Sequence, residues 1–195
     1  MNLAIIKYNA GNIQSVLFAL ERLGVQGNVT DDPEVIQAAD KIVFPGVGAA
    51  NSAMQSLKEA GLNVVIKDLK QPVLGICVGM QLLCTHSEES NTDCLGIFPV
   101  QVKKFTSTQQ LKVPQVGWNN IYSLKSALFT GVPENSFIYN VHSYFAEVSD
   151  YTIATCDYGV AYAAAIKKDN FYGVQFHTEK SAAIGDQIIK NFLEI

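Results

Sequence analysis

The chain has 195 residues, 48% hydrophobic and 16% charged, a balance typical of a folded globular protein, and we expect a single domain over residues 1–195. A net charge of −4 leaves no basic surplus to neutralise phosphates, which argues against a nucleic-acid partner. No apolar run approaches the roughly 20 residues of a membrane span, and the opening MNLAIIKYNAGN indicates a first strand rather than a signal peptide, so we expect a cytoplasmic protein without a membrane partner.

The first half of the chain alternates short apolar runs with amphipathic patterns. The predicted strands are LAIIKY, VQGNVT, KIVFP and QPVLGI, and the predicted helices are NIQSVLFALERLG, DPEVIQAA and the stretch from about Ala49 to Leu69. The third and fourth strands are apolar throughout, as strands buried on both faces tend to be. This alternation predicts a parallel sheet with helices on both faces.

The second half is rich in consecutive strand patterns joined by turn residues. These strands are PVQVKKF, KVPQVGWNNIY, SFIYNVHSYFAEV, YTIATCDY, VAYAAAIKKDN and FYGVQF. They predict added antiparallel structure. The chain ends in the amphipathic helix SAAIGDQIIKNFLEI, with Ser181 as its predicted cap.

The cysteines and histidines suggest neither a zinc site nor a disulfide framework. No C-x-x-C pair occurs among the four cysteines, and the three histidines are scattered. Cys84, beside Leu82 and Leu83, is interpreted as a small core residue.

Cys77 lies in a possible nucleophile elbow. Gly75-Ile76-Cys77-Val78-Gly79 is the cysteine version of G-x-S-x-G, with a strand pattern before it and a helical pattern after it. A helix N-terminus would stabilise a thiolate, and the Val78 N–H could donate to an oxyanion. The pattern alone leaves a structural cysteine equally open.

A base and a carboxylate follow in GVQFHTEKS. His177 and Glu179 are two residues apart, so on an extended strand both would face one site and could complete a Cys-His-Glu triad. The alternative is a surface strand end with incidental polar residues. His86, in a polar loop, and His142 are less suited as the base.

A third feature is the glycine-rich turn VFPGVGAAN. Gly46 and Gly48 match half of a dinucleotide fingerprint, but Asn51 stands where the third glycine would be. We prefer a backbone N–H of this turn as a second oxyanion donor, with a plain tight turn as the alternative.

Together, PGVG, GICVGMQLL and GVQFHTEKS closely resemble the class I (triad) glutamine amidotransferases. The stretches YNAGNIQSV, SEES, KVPQVGWNNI and FIYNVHSYF resemble the branch of this family that forms the glutaminase subunits of imidazole glycerol phosphate synthases. The resemblance covers essentially the whole chain. It implies a flavodoxin-like three-layer α/β core with a mostly parallel sheet plus an additional antiparallel sheet.

The resemblance also implies a reaction and its residues. Cys77 would attack the side-chain amide of L-glutamine to form a glutamyl thioester, His177 would act as base and then acid, and Glu179 would orient it. The oxyanion hole would involve Gly46, Val47 and Val78, after one peptide of the PGVG segment reorients. Positions expected to line the glutamine pocket are Gly79, Gln81, Glu89, His142, Ser143 and Tyr144.

The implied partner is a (βα)8-barrel cyclase subunit, in a heterodimer. Asn12, Trp118 and Lys180 match positions near the partner-facing surface. Ammonia would pass through the barrel, where imidazole glycerol phosphate and an aminoimidazole carboxamide ribonucleotide are made in histidine biosynthesis. No metal or organic cofactor is expected.

Some positions depart from the family's usual pattern. Thr178 stands in place of a common proline, Asn9 in place of a frequent acidic residue, Val78 of leucine and Gln115 of histidine. A specialised paralogue, or a related class I glutaminase serving another synthase, therefore stays open. A cysteine-dependent α/β-hydrolase would order its triad with the acid before the histidine, which is not the order here. A degenerate binding subunit without turnover is the non-enzyme alternative.

Overall fold

The computed structural model describes residues 1–9, 12–109 and 111–195. The stretch YNAGNIQSV includes residues 10 and 11, which lie outside the described residues. The strands are β1 Leu3–Ile6, β2 Gly27–Thr30, β3 Lys41–Gly46, β4 Val73–Cys77, β5 His86–Ser87, β6 Thr92–Asp93, β7 Gln101–Lys104, β8 Gln115–Ile121, β9 Ser136–His142, β10 Tyr144–Ala146, β11 Thr152–Asp157, β12 Ala161–Lys168 and β13 Phe171–Val174. The helices are α1 Ile13–Arg22, α2 Pro33–Ala38, α3 Ala50–Glu59, α4 Leu62–Asp68, α5 Val78–Leu83 and α6 Ala182–Glu194.

A seven-stranded sheet forms the centre of the fold, in the order β11-β12-β13-β4-β3-β1-β2. The five strands from β13 to β2 pair in parallel, whereas β12 and β11 add antiparallel strands at one edge. Every residue of β3 and β4 is buried, as their continuous apolar sequences predict. The mostly parallel α/β sheet is therefore confirmed.

The connections place helices on both faces of this sheet. The chain moves outward from β1 to β2, and then in the opposite direction from β3 to β4. Because parallel crossovers are right-handed, α1 covers one face while α3 and α4 cover the other. The parallel strand order matches the flavodoxin type, in which ligands bind at the carboxyl ends of the strands. β3 and β4 both end there, at Gly46 and Cys77.

The added β structure forms two further sheets. β8 and β9 make an antiparallel ribbon. The other sheet has the order β10-β7-β5-β6, in which β5 and β7 pair in parallel and the remaining pairs are antiparallel. The predicted strand SFIYNVHSYFAEV divides at Ser143, because β9 and β10 belong to different sheets.

Two helical predictions differ from the structure in detail. The stretch from Ala49 to Leu69 contains two helices, separated at Gly61, which has a φ of 69°. Ser181 precedes α6 as predicted, but its hydroxyl caps nothing in the helix. That hydroxyl instead donates to the carbonyl of His177 at 2.7 Å and accepts from the amide of Tyr139 at 2.9 Å. Its role is therefore to tie the turn after β13 to β9.

His86 lies in the short strand β5 rather than in a loop, because the chain returns there to pair with β6 and β7. Its Nδ1 lies 3.1 Å from Asp93 Oδ1.

Cys84 is fully buried, with its thiol donating to the carbonyl of Met80 at 3.7 Å, which confirms it as a core residue. Among the described residues, no helix combines the length and apolar character needed to cross a bilayer.

Candidate active site

Cys77 occupies a strained turn between β4 and α5. Its φ of 54° and ψ of −113° lie in a region that side chains other than glycine rarely adopt. A Cβ on Gly79 would collide with the carbonyl oxygen of Phe44. β3 therefore passes so close to the start of α5 that only glycine fits at position 79. The strand-turn-helix context predicted for the elbow is therefore present, and the strain falls on Cys77 itself.

His177 and Glu179 are in direct contact. The Nδ1 atom of His177 lies 2.7 Å from Oε1 of Glu179, and both side chains are almost completely buried, with 6% and 2% of their surfaces exposed. The prediction that an extended strand brings these two side chains together was wrong. β13 ends at Val174, and Glu179 lies in a 3-10 turn, Thr178–Lys180, that folds its carboxylate back onto the ring. The turn forms with Thr178 in the position where proline is common.

Opposing effects set the pKa of His177. Burial lowers it, because a charged ring loses hydration, but hydrogen bonding and charge interactions with Cys77 and Glu179 raise the pKa to about 10. The imidazole therefore readily takes up a proton while it interacts with the sulfur. An imidazole that interacts with both a thiol and a carboxylate is the arrangement that activates a cysteine nucleophile.

An amide pair completes the surroundings of the sulfur. Gln175 Nε2 approaches Cys77 Sγ at 3.8 Å, and the thiol faces the carbonyl of Val141 at 3.9 Å. Gln81 holds Gln175 by donating to its Oε1 at 2.9 Å, and also donates to the carbonyl of Tyr144 at 2.9 Å. Sequence reasoning missed Gln175, although its position two residues before His177 in GVQFHTEKS was an available signal.

A cleft of about 350 Å³ opens beside Cys77 and His177. Of the residues predicted to line a glutamine pocket, those that line this cleft are Gln81, Glu89, His142, Ser143 and Tyr144. Gly79 does not line the cleft, because it packs beneath β3. Pro114 and Val141 also line it, and sequence reasoning did not single them out.

The PGVG segment forms another wall of this cleft. Val47, Gly48 and Val78 line it, whereas Gly46 lies behind them with its Cα against the backbone of Gly79. The segment leads directly into α3, where Glu89 accepts a hydrogen bond from the amide of Ala50 at 2.7 Å. Glu89 therefore links the pocket to the end of the segment.

His142 is neutral in this environment. Burial lowers the pKa of its ring to about 4, more than offsetting the hydrogen bond between Nδ1 and the carbonyl of Tyr144, and the nearby His177 lowers it further. Its Nε2 is buried without a hydrogen-bond partner among the described residues. A ring with a lowered pKa is a weaker base, so His142 stays the less suited candidate.

Of the three residues expected near a partner surface, two line the cleft and one lies on the β8–β9 ribbon. Asn12 and Lys180 line the cleft. Trp118 lies on the β8–β9 ribbon, where 54% of its surface is exposed and its ring packs edge-on against Tyr139 at 5.7 Å. No group of three or more histidine, cysteine or acidic side chains within residues 1–9, 12–109 and 111–195 could hold a metal ion.

Comparison with known proteins identifies the family of this fold and site. The model of the family "Glutamine amidotransferase class-I" matches residues 4–195. The chain belongs to the class I glutamine amidotransferases. This confirms the family to which the three motifs pointed.

Three full-length relatives of this amidotransferase carry the same name. The chain is 57% identical to "Imidazole glycerol phosphate synthase subunit HisH" from Bacteroides fragilis over 196 residues, covering 100% of both chains. The identity is 52% to the same-named protein of Bacteroides thetaiotaomicron and 47% to that of Escherichia coli K12, again over 100% of both chains.

Solved structures share the amidotransferase fold at much lower identity. A putative GMP synthase component from Thermoplasma acidophilum has a TM-score of 0.76 at 21% identity, covering 100% of this chain and 93% of its own. PurLQS from Thermotoga maritima has a TM-score of 0.69 at 16% identity, covering 99% and 97%. These likenesses support the fold alone.

Proposed function

We propose that this chain is the glutaminase subunit of an imidazole glycerol phosphate synthase, acting in the cytoplasm in histidine biosynthesis. It hydrolyses L-glutamine to glutamate and ammonia, and a cyclase subunit consumes the ammonia. The full-length likeness to HisH proteins supports the assignment to this synthase. The observation that carries the chemistry is the 2.7 Å contact between His177 and Glu179 beside Cys77 in a ligand-sized cleft.

The first chemical step forms a thioester. The sulfur of Cys77 attacks the side-chain amide carbon of glutamine while His177 accepts the thiol proton, and the carbonyl oxygen becomes an oxyanion. When this intermediate collapses, the C–N bond breaks and His177 returns the proton to the leaving nitrogen, which departs as ammonia. Glu179 holds the ring in the required tautomer and stabilises its charge.

The second step releases glutamate. A water molecule attacks the thioester while His177 accepts its proton, the C–S bond breaks, and the proton returns to the sulfur. Both steps place negative charge on the same oxygen. The Val78 N–H, the first of α5 and therefore without an intrahelical partner, is one donor to it. The N–H of Val47, in the Gly46–Val47 peptide, is the other.

Charge in the cleft suits an amino-acid substrate. Glu89 lines the cleft with one carboxylate oxygen bound to the Ala50 amide, which leaves its other oxygen to pair with an α-ammonium group. The backbone around Ser143 and Tyr144, fixed by Gln81 and His142, forms another part of the wall. This arrangement favours free glutamine over an amide that lacks the α-ammonium group.

The proposed partner is a (βα)8-barrel cyclase. The outward face of the β8–β9 ribbon pairs Val116 with Val141 and Trp118 with Tyr139. Val116, Trp118 and Val141 are all exposed there, and Val141 also lines the cleft. An exposed apolar face continuous with a catalytic cleft is suited to a protein partner that covers the cleft and keeps ammonia from solvent.

The test is glutamine hydrolysis by the purified chain with and without the cognate cyclase and its nucleotide ligand. We expect low activity alone and higher activity in the complex, because coupling to the acceptor prevents wasted ammonia. High activity in the isolated chain, unchanged by the cyclase, would contradict the proposed coupling. Co-purification with a different synthase would instead favour a related class I glutaminase.

A further inference from the structure

Tyr8 makes a contact that the mechanism above does not use. It lies two residues after the end of β1, only 9% of its surface is exposed, and its ring packs against Phe44 at a centroid distance of 5.4 Å. Its hydroxyl donates a buried hydrogen bond of 2.7 Å to the carbonyl oxygen of Pro45. The side chain therefore reaches from the end of one strand to the PGVG segment at the end of another.

The bonded carbonyl belongs to the Pro45–Gly46 peptide, which directly precedes the Gly46–Val47 peptide proposed to supply an oxyanion donor. Because a peptide unit is planar, a fixed Pro45 carbonyl also fixes the direction of the Gly46 N–H. The Tyr8 hydroxyl lies only 2.9 Å from where a Cβ of Gly46 would be, and Gly46 pairs with Cys77 in the β3–β4 register. The phenol thus lies where the segment meets the nucleophile.

The hydroxyl is a constant donor. Burial raises the pKa of Tyr8 far above its usual range, and the neighbouring Cys77 raises it further, so the proton stays on the phenol throughout the working range of the enzyme. A neutral phenol also adds no charge that would compete with His177.

We propose that Tyr8 is a positioning residue for the oxyanion hole. Its hydroxyl holds the Pro45–Gly46 peptide in place, so that rotation of the segment is confined to the next peptide, Gly46–Val47. This inference rests on the proposed function, since it assigns a role to the strand that stabilises the thioester-forming intermediate.

The test uses Tyr8→Phe, which removes the hydroxyl and retains the ring that packs on Phe44. In the complete complex with cyclase and its ligand, we expect the kcat of glutamine hydrolysis to fall about tenfold, as expected for losing one buried hydrogen bond. KM should change by less than about twofold, because the cleft walls that bind glutamine are untouched. Tyr158→Phe is the matched control, since its hydroxyl also donates to a backbone carbonyl, that of Lys112, at 2.7 Å.

Alkylation of Cys77 by iodoacetamide distinguishes a misplaced oxyanion hole from a general loss of Cys77 reactivity. This reaction forms an S–C bond with loss of iodide and creates no oxyanion, so its rate should match that of the wild type. A lower kcat with unchanged alkylation supports the inference. An unchanged kcat, or an equal loss in both reactions, overturns it. A wild-type complex without glutaminase activity would instead refute the proposed function, whatever the variant does.

Discussion

Replacing Glu179 with glutamine removes one charge from the proposed triad and preserves its shape. The Oε1 atom of Glu179 lies 2.7 Å from His177 Nδ1, and Oε2 is buried without a partner among the described residues. A glutamine at position 179 can present its NH2 group to Nδ1 of His177. That contact favours the His177 tautomer with its proton on Nε2, which cannot then accept the thiol proton. We therefore expect Glu179→Gln to fold but to turn over slowly.

The magnitude follows from the type of hydrogen bond that is lost. A hydrogen bond to a charged group contributes about 1.5–3 kcal/mol, which corresponds to a loss of about 10- to 150-fold in kcat. The contact is buried, so little solvent screening reduces this value. An exposed acidic residue, Glu194, provides the matched control, and Glu194→Gln should leave kcat unchanged.

The same variant changes the pH dependence. Burial lowers the pKa of His177, but interactions that include the one with Glu179 raise it to about 10 in the folded chain. A histidine whose pKa is raised by folding stabilises the folded state. This stabilisation is complete below the pKa of the unfolded chain, near 6.5, and is lost as the pH rises toward 10. We expect Glu179→Gln to lower the pKa of His177 and to flatten the fall in stability over this pH range.

The assays are steady-state glutamine hydrolysis in the complex, a histidine NMR titration, and thermal unfolding at several pH values. A kcat within about twofold of the wild type would refute the role of Glu179 as the orienting carboxylate. An unchanged His177 titration would refute the electrostatic reasoning even if kcat fell.

Two further predictions concern packing and the partner. Gly79→Ala should destabilise the fold by about 1–3 kcal/mol, because its Cβ would meet the Phe44 carbonyl, and thermal unfolding should show a lower melting temperature than that of the wild type. A Gly79→Ala melting temperature equal to that of the wild type would contradict the close approach. Trp118→Ala should weaken binding to the cyclase about 30-fold, the effect of losing about 2 kcal/mol at an interface hot spot, and leave glutamine hydrolysis by the isolated chain unchanged. Calorimetric titration checks this, and an unchanged Kd would exclude Trp118 from the interface.

Sequence reasoning succeeded where a local pattern determines the structure. The apolar character of β3 after Lys41 and of the whole of β4 identified the central parallel strands, and the glycines around Cys77 identified the elbow. The contact between His177 and Glu179 was anticipated, but through an extended strand rather than the 3-10 turn that forms it. A two-residue spacing is compatible with both geometries, so spacing alone could not distinguish them.

The remaining features depend on contacts between distant parts of the chain. Gln175 and Cys77 are separated by 98 positions, and Tyr8 and Pro45 by 37. No periodicity in either segment indicates that an amide will face a thiol or that a phenol will bond a particular carbonyl. The division of SFIYNVHSYFAEV at Ser143 likewise depends on which sheet accepts each half.

The central claim is that Cys77 releases ammonia from glutamine for use by a cyclase partner. The most direct measurement compares Cys77→Ala with the wild type in the complex, with glutamine or with added ammonia as the nitrogen source. Cys94→Ala, which removes a half-buried thiol outside the cleft, is the control. We predict that Cys77→Ala abolishes glutamine-driven synthesis of imidazole glycerol phosphate and preserves ammonia-driven synthesis. Loss of both activities, or survival of the glutamine-driven one, would contradict the account.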